Sequence, residues 1–269
     1  MIITSTRAAR VSRAARLRKR AFRAQDGKFL AEGPQAVREA LATTGAVVEV
    51  FATDEAGERH PELVAAAKSA GVEWLRASAS VLAHLADTVN PQGVVAVCRT
   101  PGTSLAAAVG EAPRLITILA HVRDPGNAGT VIRVSDAAGA DGVVFSRASV
   151  DPFNAKCVRA TAGSMFHLPV AVEVELTEAI AAVRDRGLVV RGADGAAGDR
   201  LDRMTSEELA RPTAWVFGNE AWGLPPQIRD LCDDVVAVPL YGAAESLNLS
   251  AAAAVCLYAT AQAQHRGLD

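Results

Sequence analysis

Six short apolar runs, at 115–119, 142–145, 169–174, 187–191, 213–217 and 235–238, dominate the second half of the chain and are separated by segments of helical periodicity. A strand followed by a helix and then another strand needs a crossover, and crossovers lay strands parallel with helices over both faces. The runs suit that setting. Leu115-Ile116-Thr117-Ile118-Leu119 is apolar on both sides instead of alternating, as a strand covered twice must be. A shorter series of the same kind precedes it, with strands expected at 47–51, 72–75 and 94–98 and helices through Val37 and Leu41, at 61–70 and near 78–86. Pro101, Gly102, Gly110 and Pro113 punctuate the stretch between the two series. The expected organisation is α/β throughout: a basic helical segment at 1–24, a small α/β domain at 25–100, a linker at 101–113 and a parallel-sheet domain at 114–269.

The net charge of -2 over 269 residues conceals an uneven distribution. Eight of the 28 basic residues lie within 1–23, where there is no acid, so the rest of the chain holds 20 basic against 30 acidic side chains. Arg7, Arg10, Arg13, Arg16, Arg20 and Arg23 recur at three- and four-residue spacing and would line one stripe of a single helix, suited to a phosphate backbone. A solvated helix face or a flexible tail accounts for the same spacing. Aromatic residues make up 4% of the chain, which disfavours a nucleic-acid surface built of stacked rings. Cys98, Cys157, Cys232 and Cys256 lie far apart with no C-x-x-C pair, which fits a reduced, cytoplasmic protein. The longest apolar stretch, from Leu249 to Ala263, is interrupted by Ser250 and Thr260 and reads as an Ala-rich buried helix rather than a membrane span.

No two glycines are spaced G-x-G, and G-x-x-x-x-G-K-[ST] is absent. Those absences exclude the dinucleotide fingerprint, the ordinary glycine-rich methyltransferase loop and the P-loop. Polar residues gather instead just past three strand ends, where parallel sheets place their ligands. In the first segment, His121 to Arg133, a turn shaped by Pro125, Gly126 and Gly129 leads into a helix that places Asn127 and Arg133 about two turns apart, where both could face one cleft. A plain strand-to-helix turn, with Asn127 as N-cap and Arg133 on the surface, explains the same residues. In the second, Trp215 to Pro225, Gly218 permits close backbone approach and Glu220 sits at a strand end. In the third, Val238 to Ser250, the last strand gives way to the Ala-rich helix, expected to begin at Ser246, and capping alone would explain Ser246 and Asn248.

Together, Asp124-Pro125-Gly126-Asn127-Ala128-Gly129 with Arg133, Gly218-Asn219-Glu220 with Gly223, and Ser246-Leu247-Asn248-Leu249-Ser250 resemble in order and spacing the three motifs of the SpoU family of RNA ribose 2′-O-methyltransferases. The likeness covers about 114–265. Phe29 to Gly33 and Asn90-Pro91-Gln92-Gly93-Val94-Val95-Ala96 are similar to the family's ribosomal-protein-like substrate-binding domain, so nearly the whole chain is included. The resemblance implies a trefoil knot in the C-terminal methyltransferase domain, which periodicity cannot reveal because threading breaks the usual rule of chain connection. It also implies S-adenosylmethionine as cofactor, bound largely by backbone groups at Gly218, Val238 and Leu247, with Phe217, Leu240 and Asn248 nearby. Arg133, Asn127, Glu220, Ser246 and Asn248 match the family's catalytic polar set. RNA is the implied partner, ribosomal RNA being favoured over transfer RNA because of the front domain, and a homodimer would bring Arg133 to the partner's cofactor. This chemistry needs no metal, and His60, His84, His121, His167 and His265 form no i,i+4 pair. Trp222 departs from the family pattern by its bulk. The alternative is a non-catalytic RNA-binding protein on the same fold, although none of the five polar positions is replaced.

Overall fold

The computed structural model describes residues 2–266. Backbone proximity divides the chain into Met1–Gly102 with Asp151–His167, and Thr103–Val150 with Leu168–Asp269. The expected division differs in two places: residues 1–24 belong to the first unit instead of standing apart, and so does 151–167, assigned from sequence to the parallel-sheet domain.

The first unit carries a four-stranded sheet of β1 (Lys28–Glu32), β2 (Val47–Ala52), β3 (Glu73–Arg76) and β4 (Val94–Arg99) in the order β1-β4-β2-β3. Strand β4 is antiparallel to both neighbours and buried from Val94 to Cys98, whereas β2 and β3 are parallel. Helices Ala9–Arg16 and Ala79–Leu85 cover one face, where Val11, Leu17, Phe51, Leu82 and Val95 form a core. Phe29 instead meets Phe153 at 5.2 Å and Phe166 at 6.0 Å between ring centroids. Those two rings group 151–167 with this unit, and the helix Ala155–Ala160 among them is capped by Asn154, which accepts from Cys157 N.

The basic residues do not form one stripe. The chain makes two short helices, Ala9–Arg16 and Arg20–Asp26, broken at Lys19, whose backbone is extended. Arg23 turns inward and is buried: Nη1 donates to the carbonyls of Leu17 and Arg18, both at 2.9 Å, while Nε and Nη2 bond Asp151 Oδ2 at 2.8 and 2.6 Å. The guanidinium thus satisfies carbonyls that the first helix leaves open at its end. Arg16 pairs with Asp26 and Arg10 with Glu73. Their charge is partly spent inside the unit, whereas Arg7 and Arg13 stay exposed.

The second unit holds β5 (Leu115–Leu119), β6 (Gly142–Ser146), β7 (Val170–Val174), β8 (Val189–Ala193), β9 (Asp199–Arg200), β10 (Thr213–Phe217) and β11 (Asp234–Ala237). They form one parallel sheet in the order β7-β6-β5-β10-β8-β11-β9. All six expected strands are present, and β9, two residues long, is an addition that no apolar run announced. Polar groups buried on the sheet are matched: Thr117 and Ser135 hydroxyls lie 2.8 Å apart, and Trp215 Nε1 donates to Thr260 Oγ1 at 2.9 Å. Burial pushes the Cys232 thiol up to about 11 and that of Cys256 up to about 12, so both stay protonated at neutral pH. The Ala-rich helix runs Leu249–His265, three residues later than expected, because Asn248 and not Ser246 supplies the N-cap. Among the described residues no helix is long and apolar enough to cross a membrane, and no group of three or more His, Cys, Asp and Glu side chains is placed to hold a metal ion.

Candidate active site

Three loops leave the carboxyl ends of β5, β10 and β11, and the first two of these strands are neighbours in the sheet. After β5 the chain turns at His121, whose φ of 57° lies in the left-handed region that non-glycine residues seldom occupy. Side chains hold both its backbone groups: its N–H donates to Ser146 Oγ at 2.9 Å, and its carbonyl accepts from Asn219 Nδ2 at 2.8 Å. Asp124 then caps the helix Pro125–Ala137, accepting from Asn127 N at 2.8 Å with Pro125 in the first position. The cap is therefore Asp124, and the Asn127 side chain is left for other work.

After β10, Gly218 opens a tight return in which Asn219 and Gly223 exchange backbone hydrogen bonds at 3.0 and 2.9 Å. A Cβ on Gly218 would lie 2.3 Å from the Gly223 carbonyl oxygen, so the turn itself requires glycine. The return lifts Glu220 towards the loop after β5. Its carboxylate accepts from Asp124 N at 3.2 Å, Arg123 N at 3.4 Å and Asn127 Nδ2 at 3.2 Å. Asn127 Oδ1 in turn accepts from Asn248 Nδ2 at 2.9 Å, and Asn248 Oδ1 accepts from Ser250 N and Oγ. One hydrogen-bonded chain, Glu220–Asn127–Asn248, thus ties the three loops together. Beside it the Arg123 guanidinium lies 5.3 Å from the ring centroid of Trp222, which is 52% exposed.

Two of the five polar positions lie outside that chain. Arg133 is exposed and makes no hydrogen bond or ion pair among the described residues. The expectation that it shares a cleft with Asn127 fails on helix geometry: six residues at about 100° each bring Arg133 some 120° round the axis from Asn127. Ser246 is likewise exposed and unbonded, because the helix begins after it. Sequence reading missed Arg123 and Asp124 as site residues, although an acid directly before a helix-starting proline is a recognised capping signal.

The residues assigned to the cofactor divide by role. Phe217 is wholly buried, its ring 6.2 Å from that of Trp215 and its carbonyl accepting from Ala120 N, so its side chain is not available to a ligand. Val238 is half-buried, while Leu240 and Leu247 are each 39% exposed. From Pro239 to Leu247 the main chain makes no backbone–backbone hydrogen bond among the described residues. Exposed aliphatic side chains and main-chain N–H and C=O groups without backbone partners are the two kinds of contact a purine uses, apolar cover and hydrogen bonds at its edge. The loop therefore fits S-adenosylmethionine.

The sequence from 114 to 258 matches the model of the SpoU rRNA Methylase family, and 8–96 that of the MRM3-like substrate binding domain. The chain is 35% identical over 236 residues to the 23S rRNA (guanosine(2553)-2′-O)-methyltransferase RlmP of Bacillus subtilis, covering 88% of this chain and 89% of that protein. It is 34% identical to the 23S rRNA (guanosine-2′-O-)-methyltransferase RlmB of Bordetella pertussis over 71% of this chain and 79% of the other. Among solved structures, an AdoMet-bound rRNA methyltransferase from Sinorhizobium meliloti superposes with a TM-score of 0.85 at 27% identity, over 100% of this chain and 98% of that one. The AdoMet complex of the SpoU methyltransferase AviRb from Streptomyces viridochromogenes gives 0.83 at 28% identity, over 95% and 98%. With the three motifs joined at the carboxyl edge of a parallel sheet and both units matched, the chain belongs to the SpoU rRNA methylase family.

Proposed function

We propose that this protein is an S-adenosylmethionine-dependent RNA ribose 2′-O-methyltransferase acting on 23S ribosomal RNA, in the cytoplasm, as a homodimer with a trefoil knot. The observation that carries the reading is the Glu220–Asn127–Asn248 chain, since it joins one residue from each motif at the edge where such sheets bind ligands. Relatives named for 23S rRNA support ribosomal over transfer RNA.

When bound, S-adenosylmethionine supplies an activated methyl group to the ribose 2′-oxygen. Leu240 and Leu247 would flank the purine, with main-chain groups between Val238 and Leu247 as its hydrogen-bond partners. Asn127, Glu220 and Asn248 fix the loops so that the attacking oxygen is aligned, which is the positional part of catalysis. Arg133, exposed and without a hydrogen bond or ion pair among the described residues, grips the phosphate beside the target ribose and stabilises negative charge developing on the 2′-oxygen. A guanidinium keeps its proton, so the hydroxyl proton passes to another acceptor. In the dimer, this arginine serves the neighbouring subunit. Support comes from the Leu249–His265 helix, which presents Ala251, Val255 and Tyr258 to solvent along one stripe, Val255 and Tyr258 each 43% exposed.

The test is calorimetric titration with S-adenosylmethionine, followed by mapping of ribose methylation over 23S rRNA incubated with the protein. Cofactor heat and one new 2′-O-methyl nucleotide are the expected results; no heat of binding would leave a non-catalytic RNA binder as the reading.

A further inference from the structure

The first unit contains a cavity of about 180 Å³ lined by Glu32, Gly33, Thr88, Asn90, Gln92 and Arg159 among others. A carboxylate forms its inner wall. The Glu32 side chain is 4% exposed; Oε1 accepts from Asp87 N at 2.9 Å and Oε2 from Arg159 Nη1 at 3.1 Å. Arg159 Nη2 also reaches Asp87 Oδ2 at 3.3 Å. One guanidinium against two carboxylates leaves the local charge negative, which repels a phosphate and favours a neutral group presenting N–H donors. A carboxylate has about four acceptor positions, so two remain on Glu32.

The mouth of the cavity is equally specific. Thr88, Asn90 and Gln92 make no side-chain hydrogen bond among the described residues, and Val89 between them is 93% exposed. A Cβ at Gly33, whose φ is +89°, would lie 2.5 Å from Gln92 Oε1, so glycine is what lets that amide lie against the turn after β1. The volume falls below the roughly 300–1,000 Å³ of sites for drug-sized ligands and admits one ring system without its sugar and phosphate.

We propose that this cavity takes one unstacked guanine of the RNA, an inference that rests on the RNA-methyltransferase reading. Guanine carries two adjacent donors, N1–H and the N2 amine, that a carboxylate can accept together, and its O6 and N7 face the amides of Asn90 and Gln92. Uracil would turn carbonyl oxygens towards Glu32, and adenine and cytosine offer one amine donor each. Splayed bases read on their edges are the usual mode of single-stranded RNA recognition, and here the edge-reading groups lie in the unit that holds no motif of the methyl-transfer site.

The test uses the full chain and labelled RNA heptamers UUUGUUU, UUUIUUU and UUUAUUU, in which inosine lacks only the N2 amine, with affinities read by fluorescence anisotropy. The guanosine heptamer should bind at least about fivefold more tightly than the other two. That preference should fall below about twofold in Glu32→Gln, and in Asn90→Ala and Gln92→Ala, whose exposed side chains can be removed without unfolding the unit. Equal affinity of the wild-type protein for all three heptamers overturns the proposal, as does a preference that survives in all three variants. Titration of the same preparation with S-adenosylmethionine separates the two readings. Cofactor binding without base preference removes only the cavity assignment; base preference without cofactor binding removes the methyltransferase reading instead.

Discussion

Arg133 and Gly218 illustrate how residues in adjacent motifs can carry different burdens. Arg133 is exposed and makes no hydrogen bond or ion pair among the described residues, so Arg133→Ala should leave the fold intact and S-adenosylmethionine affinity within about threefold of wild type. It should lower methyl transfer by at least about 100-fold, the loss typical of a removed charge-stabilising donor; tritiated-methyl incorporation beside calorimetry checks both halves. Gly218 has a structural duty that hides any other. Gly218→Ala drives a methyl group into the Gly223 carbonyl, which costs about 1–3 kcal/mol, and displaces Glu220 from Asn127. Thermal melting should fall by several degrees and transfer should fail together, whereas unaltered melting would mean that the return relaxes freely. The motifs were legible because their order and spacing survive in the sequence. Which members touch was not. Asn127 and Arg133 share a helix yet face apart, and the glycine whose openness suggested a ligand is filled by its own turn.

At the scale of elements, strands were read well and charged helices poorly. A run such as Leu115–Leu119 declares itself because burial on both faces demands apolar residues at each step, and Thr117, the exception, is paired with Ser135. A periodic arginine declares nothing about direction: Arg23 obeys the spacing of a solvated stripe and is buried all the same. Arg23→Ala removes one member of a buried pair and strands Asp151 together with two helix-end carbonyls, for a loss of about 3–5 kcal/mol. Urea denaturation measures it, with Arg13→Ala, an exposed position, expected to change stability by less than about 0.5 kcal/mol. The Leu249–His265 helix makes the opposite case, since the stripe of Ala251, Val255 and Tyr258 that it shows to solvent is apolar. Val255→Glu should convert the proposed dimer to monomer in sedimentation velocity while leaving the helix folded, because the side chain is exposed in the isolated subunit. A dimer unchanged by that substitution would place the interface elsewhere.

For the whole molecule, the division into units decides what can be cut. A domain running continuously over 114–269 would survive loss of everything before it. Because Phe153 and Phe166 pack on Phe29, deletion of 1–102 should leave 151–167 without cover. The truncated protein should aggregate or bind hydrophobic dyes strongly, whereas a soluble, cooperatively melting fragment would show that 151–167 finds support from the second unit alone. Sequence offered no sign of this, since two phenylalanines between β6 and β7 carry no address.

The same arrangement sets a timetable for the newborn chain. Arg23 and its partner Asp151 are 128 residues apart, a distance that a ribosome translating about 5–20 residues per second covers in roughly 6–26 s. Through that interval the first unit has emerged but lacks both the counter-charge for its inward arginine and the rings that close over Phe29. The front of the protein therefore waits, half-finished, for a segment that arrives only after β5 and β6 have been made, and its completion is tied to synthesis of the sheet that carries the chemistry.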